Sequence, residues 1–358
     1  MKLNHKIIFK VSVILIAILV ALLVGAVMIL ATGESVFKTY SIIISMPFSN
    51  FRTFSEVLVR MIPLTIIALG ICVSSRCGIN NIGAEGQMAM GIIATTAVAF
   101  ALSSFPRVIA IPIAILVGAI AGGIWGFIPG ILKAKLDVSE LLSTVMLNYA
   151  AAQFYAFMIR VPLIDPNEKT GTPMSARLPE STVLHKLFKG AAVHQGIILA
   201  LVLALVVYIL LWKTSWGYKM RASGASQRAA KYGGINVSRY LIIAMIISGA
   251  CAGMAGSVEL MGNQGRAMAG ITGGHSFSGI EVGLFGGLHP AGIIPAAFFF
   301  GILLYAQVNL QILTSVPPNL VEALQGLIIL IIVAVQMIIS NKYLEEKFRK
   351  KFFSRKEA

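Results

Sequence analysis

The stretch VIAIPIAILVGAIAGGIWGFIPGI, residues Val108–Ile131, contains no charged side chain. A helix needs about 20 consecutive apolar residues to cross the hydrocarbon core of a bilayer, and this stretch exceeds that length. Its glycines recur at every fourth position and therefore align on one face of the helix. Because small residues let membrane helices approach closely, this face is predicted to contact another helix. The four positions are Gly118, Gly122, Gly126 and Gly130.

The composition of the whole chain agrees with this stretch. Of 358 residues, 57% are hydrophobic and only 12% are charged, and the mean hydropathy is +0.86. A soluble domain carries about 25% charged residues, so a cytosolic enzyme is excluded. The cysteines Cys72, Cys77 and Cys251 lie in or beside apolar segments and predict neither a disulfide framework nor a metal site. The sequence is that of an integral membrane protein.

Apolar segments recur along the chain and predict an all-α polytopic membrane protein with about ten transmembrane helices. The first run has the length of a span and lacks the cleavage site of a signal peptide, so it is expected to be retained. The segment Gly33–Glu56 is expected to lie outside. The predicted spans are Val11–Ala31, Val57–Ser74, Gly86–Ala101, Val108–Ile131, Leu141–Ile159, Ile197–Trp212, Leu241–Leu260, the short Phe277–Leu288, Ala291–Leu310 and Leu320–Ile339.

Basic residues predict the orientation of these spans. With both termini cytoplasmic, 19 of the 29 Lys and Arg residues fall in inner segments, as the positive-inside rule requires. Residues 1–10 and the tail 341–358 are basic, and residues 213–239 carry six Lys or Arg and no acid. Residues 161–195 form a long polar excursion that is expected to be extracytoplasmic. The whole chain, 1–358, is predicted to be a single transmembrane domain.

Polar side chains at membrane depth are the candidates for a solute pathway. An ionised group there costs at least a few kcal/mol, so it usually faces a cavity or a partner. For Glu281, in a short glycine-interrupted segment, a pathway or proton-relay role and a structural hydrogen bond both stay open. For Glu85, near a predicted boundary, the structural role is favoured. The candidates are Asn80, Asn81, Glu85, Gln87, Asn148, Asn263, Gln264 and Glu281.

Sequence motifs of enzymes are missing. The chain has no P-loop, no His-Glu-x-x-His and no Gly-x-Ser-x-Gly motif. No catalytic residue, metal site or bound cofactor is therefore predicted for this chain. A transport subunit whose energy source lies on another protein fits these absences better than an enzyme does.

The basic segment Tyr218–Asn236, YKMRASGASQRAAKYGGIN, predicts a helix of about two turns on the cytoplasmic face. Ser226 is a good N-cap, Gln227–Tyr232 is compatible with a helix, and two glycines form a strong stop. Both glycines are expected in conformations that a side chain would penalise. The candidate contact residues of this segment are Arg221, Gly224, Ser226, Arg228, Ala229, Lys231, Gly233 and Gly234.

This segment resembles the loop by which ABC importer permeases of the sugar, branched-chain amino-acid and nucleoside group dock onto their ATPases. Cys77–Met88, CGINNIGAEGQM, resembles the signature of the first half of that family, and Leu142–Tyr149, LSTVMLNY, resembles its fifth span. Ser248–Gly262 and Phe277–Gly301 resemble its second half. The likeness covers roughly residues 55–340, and four motifs in the right order make it specific.

The resemblance implies the ten-span permease fold and an assembly with other proteins. The partners would be a second, usually non-identical permease, an ATPase subunit that binds ATP-Mg, and an extracytoplasmic solute-binding protein, in the cytoplasmic membrane of a bacterium and without nucleic acid. The sequence of these motifs is most similar to that of nucleoside permeases, and the chain resembles in particular the larger subunit of a permease pair.

Three alternatives remain beside the nucleoside permease. Permeases for simple sugars of the ribose or galactose type share much of the pattern. An ion-coupled secondary carrier would use Glu281 and Glu259 as proton or sodium sites beside broken helices. A membrane-embedded enzyme is disfavoured because the catalytic motifs are missing.

Overall fold

The computed structural model describes residues 16, 19–167, 171–314, 317, 319–323, 326–327, 330–331 and 334. The predicted cytoplasmic segments 1–10 and 341–358 lie outside the described residues, as does most of the predicted tenth span. The described residues are helical, with isolated β-bridges and no strand. The fold is therefore all-α, as predicted.

The described part of the chain up to residue 314 contains twelve α-helices, and described residues at 319–323, 326–327, 330–331 and 334 are helical as well. Helix α10 continues into a single π-helical turn, Leu260–Gln264. The bounds of the twelve helices are α1 Leu19–Ala31, α2 Val36–Ser45, α3 Phe51–Arg76, α4 Ala84–Ala101, α5 Arg107–Leu136, α6 Glu140–Arg160, α7 Gly196–Lys213, α8 Ser215–Ala225, α9 Gln227–Tyr232, α10 Val237–Glu259, α11 His275–Phe285 and α12 Pro290–Leu313.

Within the described residues, six helices are long and apolar enough to cross a membrane: α3, α5, α6, α7, α10 with its π turn, and α12. The pair α1 and α2, bent by 119°, would bring the number to seven. The sequence predicted ten. Two of the missing spans correspond to α4, which opens with Glu85 and Gln87, and to α11, whose 11 residues extend only about 16 Å.

Local capping moves one boundary away from its prediction. Helix α3 begins at Phe51, six residues before the predicted Val57, because Asn50 and Thr53 form a capping box. The Asn50 Oδ1 accepts from the Thr53 backbone N–H at 2.9 Å. The segment Gly33–Glu56, which is expected to lie outside, contains α2 and the start of α3.

The chain forms two compact units, residues 1–49 with 302–358, and residues 50–301. In the first unit, Ile29 and Leu320 are buried, and the partly buried Val36 and Tyr40 pack against them. The Tyr40 hydroxyl donates to the Leu22 carbonyl at 2.7 Å, which joins α2 to α1. The second unit contains the candidate site and the glycine-rich contacts.

Helix α10 is central in the second unit and packs on α3, α4 and α5. Its seam with α5 is closed by backbone approach: a Cβ atom on Gly122 would collide with the Gly249 carbonyl, and a Cβ on Gly253 with the Gly118 carbonyl. The predicted contact role of the α5 glycines is confirmed. Large apolar side chains of α5, such as Leu116, remain exposed on its other side, as expected for a helix that faces lipid.

Two non-helical segments of the second unit each lead from a full-length helix into a further helix. After α3 ends, residues 77–83 are non-helical and α4 begins; after the π turn, residues 265–274 are non-helical and α11 begins. Helix α11 runs alongside α3, with Gly279 against Ile67 and the Arg76 side chain bonded to Gly287. Helix α11 therefore starts about halfway along α3. Its starting point lies inside the bundle.

Candidate solute pathway and docking face

The start of α11 is held by a carboxylate from α4. Glu85 Oε1 accepts from the backbone N–H of Gly274 at 3.3 Å, and Oε2 accepts from that of Ser276 at 3.2 Å. The first turn of a helix has unpaired N–H groups and a partial positive charge, both of which a carboxylate satisfies. Glu85 therefore fixes α11 to α4 in the interior of the bundle.

The start of α4 is held in the same way by an amide from α6. Asn148 Oδ1 accepts from the Gly86 N–H, and Asn148 Nδ2 donates to the Ile82 carbonyl, both at 2.9 Å. The first turns of α4 and α11 are thus both satisfied by side chains of neighbouring helices. Non-helical backbone at membrane depth requires such partners.

Asn81 and Gln87 belong to a buried hydrogen-bond network instead of a cavity wall. The Asn81 Nδ2 donates to Gln87 Oε1 and to Ser248 Oγ, each at 2.8 Å, and the Gly83 N–H donates to Asn81 Oδ1. Both amides are almost completely buried. They join the non-helical segment 77–83 to α4 and α10. Asn80 is exposed and lines neither of the cavities described below.

A cavity of about 190 Å³, called the apolar cavity, lies between α4, α6 and the non-helical segment 265–274. Its wall is mostly apolar, and the two predicted pathway residues Glu85 and Asn148 lie at it. The Tyr155 hydroxyl donates to the Met268 carbonyl at 2.9 Å and closes one side. The remaining side-chain lining comes from Ala89, Ala152, Ala156, Ile159, Ala269 and Thr272.

A second cavity of about 180 Å³, called the polar cavity, lies on the other side of Ala269 and Gly270, which line both. The predicted residues Asn263 and Gln264 are part of its wall, with Glu259. Glu259 Oε1 accepts from Asn263 Nδ2 at 2.6 Å and from Gln264 Nε2 at 3.3 Å. Arg60 and His275 complete the polar lining.

Glu281 lies apart from the other candidates. It is partly exposed on α11, two residues from the glycine that contacts α3, and lines neither cavity. Its Oε2 atom is buried and has no hydrogen-bond partner among the described residues. The structure thus brings Glu85 and Asn148 to one cavity and Asn263 and Gln264 to another, and leaves Glu281 outside both.

The predicted outer loop 161–195 is hydrogen-bonded to the segment 261–267, which includes the polar-cavity residues Asn263 and Gln264. This pairing was not predicted from the sequence. Backbone N–H groups of the loop donate to carbonyls of the segment 261–267: Leu184 to Met261 and Leu178 to Gly265 at 2.9 Å, and Ser175 to Ala267 at 2.8 Å. Pairing between segments almost 90 residues apart leaves no local signal in the sequence.

The His194 ring packs against the π turn Leu260–Gln264. It lies against Gly262, where a Cβ atom would overlap it, and its Nδ1 accepts from the Gly196 N–H at 3.2 Å. Burial lowers the pKa of His194 to about 4, although the nearby Glu259 carboxylate acts in the opposite direction. The ring is therefore neutral at physiological pH.

The predicted docking helix is α9, with the predicted bounds Gln227–Tyr232. Ser226 Oγ accepts from the Ala229 N–H at 3.3 Å, as its N-cap role requires. Gly234 has a φ of +77°, but Gly233 has an ordinary φ of −76°, so the expectation of a special conformation is wrong for Gly233. Ala230, four residues before Gly234, faces the protein and is buried. The exposed residues of α9 are Gln227, Arg228, Ala229, Lys231 and Tyr232.

Two of the predicted docking residues hold the loop to the bundle instead of projecting outward. Arg221 Nε donates to the Leu211 carbonyl at 3.0 Å, and its guanidinium lies 5.8 Å from the centre of the Trp212 ring. Gly224 meets the backbone of Arg76 so closely that a Cβ atom would collide with its carbonyl. Helices α8 and α9 are thereby fixed to the end of α3.

Trp212 connects this loop to α11. The Arg76 guanidinium also lies over the Trp212 ring, 5.6 Å from its centre. The Arg76 Nε donates to the Leu288 carbonyl at 2.9 Å. The His289 ring lies 4.6 Å from that of Trp212, edge on. We call Arg76, Trp212, Arg221 and His289 the Trp212 cluster. It links residues 215–232, which contain α8 and α9 and are called the α8–α9 loop, to the turn that follows α11.

The family model described as "Branched-chain amino acid transport system / permease component" matches residues 53–333. That is most of the chain, which therefore belongs to this family of membrane permeases. It is a multi-pass membrane protein and a transport subunit.

Individual relatives match along nearly the whole length. The guanosine ABC transporter permease protein NupP of Bacillus subtilis is 35% identical over 338 residues, covering 94% of this chain and 96% of its own. The nucleoside ABC transporter permease protein NupB of Lactococcus lactis is 34% identical over 92% of each chain. The glucose ABC transporter permease protein TsgB13 of Haloferax volcanii is 30% identical, covering 89% of this chain and 86% of its own. No solved structure matches the chain.

Proposed function

We propose that this chain is a permease subunit of an ATP-binding cassette importer that carries nucleosides across the cytoplasmic membrane of a bacterium. The observation that carries the proposal is the identity of 35% and 34%, over more than nine tenths of the chain, to permeases named for guanosine and for nucleosides. Sparse charge at membrane depth agrees with a neutral solute.

The importer would contain three kinds of partner. A second, non-identical permease completes the membrane pathway, an ATPase subunit binds and hydrolyses ATP-Mg, and an extracytoplasmic protein delivers the solute. This chain would bind no cofactor itself. It would cross the membrane ten times with both termini in the cytoplasm, so that the basic helix α9 meets the ATPase and the loop 161–195 meets the binding protein.

Transport would proceed by alternating access. Closure of the ATPase dimer moves α9 and the α8–α9 loop, and the Trp212 cluster passes this movement to the turn after α11. Because Glu85 joins the opposite end of α11 to α4, these two helices move together. The cavity walls between them then open toward one side of the membrane or the other.

The test is uptake into proteoliposomes that contain this chain with the permease and ATPase that co-purify with it. ATP-Mg is trapped inside, and labelled guanosine and the co-purifying binding protein are added outside. We expect accumulation that needs hydrolysable ATP and survives a protonophore. Accumulation driven by an imposed proton gradient without ATP would contradict the proposal and favour the secondary carrier.

A sugar importer is the second candidate, favoured by the 30% identity to a permease named for glucose. The same vesicles are given labelled ribose and labelled glucose in separate experiments. ATP-dependent uptake of either sugar with no uptake of guanosine would replace the nucleoside by a simple sugar. Uptake of guanosine alone excludes this candidate.

A further inference from the structure

The polar cavity is an unusual feature in a chain that is 57% hydrophobic. Its wall combines a carboxylate, two primary amides, a guanidinium and an imidazole, from Glu259, Asn263, Gln264, Arg60 and His275. Polar groups are costly to place inside a membrane protein unless they face a cavity with a use for them. The arrangement of these groups shows which ligand they suit.

The two amides have a fixed orientation. A carboxylate oxygen only accepts hydrogen bonds, so the NH₂ groups of both amides point to Glu259 Oε1, at 2.6 Å from Asn263 and 3.3 Å from Gln264. Glu259 itself is 4% exposed and stays in place. The amide oxygens of Asn263 and Gln264 do not take part in these bonds, and both residues line the polar cavity. They are two acceptors for a ligand that supplies donors.

The backbone under these amides is held rigidly. The π turn Leu260–Gln264 receives the Leu184 N–H at its Met261 carbonyl, and the His194 ring lies against its Gly262. Single π turns within α-helices are frequent at functional sites. A preorganised wall lowers the cost of binding because few groups must become ordered when the ligand arrives.

The size of the cavity limits the ligand. Its volume of about 180 Å³ is below the about 300–1,000 Å³ of pockets that enclose a whole drug-sized ligand. The cavity is thus large enough for one ring of a nucleoside. Its acceptors match the vicinal hydroxyls of a ribose, which are donors. The adjacent apolar cavity, beyond Ala269 and Gly270, is the available place for the base.

We propose that the polar cavity binds the ribose of the nucleoside during translocation, with its 2′ and 3′ hydroxyls donating to the carbonyl oxygens of Asn263 and Gln264. This site rests on the proposed function and adds to it a subsite and a requirement for ribose hydroxyls. Arg60 and His275 close the cavity around the sugar.

The experiment places a reporter thiol in the cavity of the complete importer. Asn263→Cys is treated with a small methanethiosulfonate reagent in the presence of guanosine or 2′,3′-dideoxyguanosine. The native cysteines are buried and give little background. We expect guanosine to slow the modification at least fivefold at a concentration where the dideoxy analogue does not. The control is Gln195→Cys, an exposed position outside both cavities, which guanosine should leave unprotected.

A second measurement does not depend on the thiol. With saturating binding protein, the unaltered importer should transport guanosine about five- to tenfold faster than the dideoxy analogue. The Asn263→Leu, Gln264→Met double variant should transport the two at equal rates, because the groups that read the hydroxyls are gone. Gln195→Met should keep the preference.

The outcomes separate the site from the proposed function. Guanosine uptake by the unaltered importer, with no protection of the thiol and an unchanged preference in the double variant, overturns the ribose site alone. Equal protection by both compounds overturns it as well. No guanosine uptake by the unaltered importer overturns the proposed function, and the site with it.

Discussion

The Glu85 carboxylate accepts a hydrogen bond from the backbone N–H of Ser276 at 3.2 Å, across 191 residues of sequence. This contact joins the first turn of α4 to the first turn of α11, the two helices that begin inside the bundle. Because the carboxylate also accepts from Gly274, two of the unpaired N–H groups of α11 depend on one side chain. The position of α11 therefore depends on α4.

Replacement of Glu85 by Ala should destabilise the folded protein. The loss of a capping carboxylate costs about 1–2 kcal/mol, and α11 loses its connection to α4. The measurement is the melting temperature of the purified importer, together with ATP-dependent uptake. The control is Glu180→Ala, which removes an exposed loop carboxylate. An unchanged melting temperature and full uptake would mean that Glu85 does not hold α11.

Replacement of Trp212 by Ala should uncouple ATP hydrolysis from uptake. The variant removes the ring between Arg76 and Arg221 and with it the link from the α8–α9 loop to α11. We expect a several-fold fall in solute carried per ATP hydrolysed, while the ATPase still co-purifies. Trp212→Phe keeps an aromatic ring for both guanidinium groups and should retain most of the coupling. Normal coupling in Trp212→Ala would show that another contact carries the movement.

The two glycines after α9 should differ in their tolerance of a side chain. Gly234→Val forces a β-branched residue into φ of +77°, at a cost of about 1–2 kcal/mol, and should weaken ATPase binding and uptake. Gly233→Val meets only the Ala229 and Ala230 carbonyls at 3.5 Å or more and should be tolerated. Co-purification of the ATPase distinguishes the two. Equal effects would contradict the geometry of this turn.

Neighbouring glycines of α5 offer a similar comparison. Gly122→Ala places a methyl group against the Gly249 carbonyl and should lower the yield of folded importer. The methyl group of Gly123→Ala points in a different direction from the helix axis, and its nearest atom is the Ile246 carbonyl oxygen at 3.4 Å. This variant should therefore leave the yield nearly unchanged. Size-exclusion chromatography of both variants measures the effect. The idea of a close α5–α10 contact fails if Gly122→Ala assembles normally.

Glu281 separates the importer from a proton-coupled carrier. Glu281→Gln keeps the size and hydrogen-bonding capacity of the side chain but cannot bind and release a proton in each cycle. We expect ATP-driven uptake to be largely retained with an unchanged pH dependence, and Glu281→Trp to block it. Loss of concentrative uptake in Glu281→Gln, with the ATPase still bound, would favour the carrier.

The sequence predicted the features that depend on neighbouring residues. Helix α9 has its predicted bounds because its cap at Ser226 and its stop at Gly234 act within one turn. The glycine face of α5 follows from a period of four. The surroundings of the polar candidates depend on distant segments: Asn81 is hydrogen-bonded to Ser248, 167 residues away. No pattern within α4 reveals that contact.

The same distinction explains the span count and the polar cavity. A window of apolar residues predicts α4 and α11 as spans, whereas in the structure both begin inside the bundle, and neither is among the six described helices that are long and apolar enough to cross a membrane. From the sequence, Glu259 is predicted only as a proton or sodium site of an ion-coupled carrier. Its bonds to Asn263 and Gln264 form across a π turn, which no pattern in the sequence predicts.

The loop 161–195 bonds to the segment 261–267 chiefly through its main chain. Hydrogen bonds depend steeply on distance and angle, so we expect a protein that presses on the loop to displace the segment 261–267 with it. In the proposed importer, a docked binding protein would then act on the wall of the polar cavity through main-chain groups. The side chains of the loop would be needed only to recognise that protein.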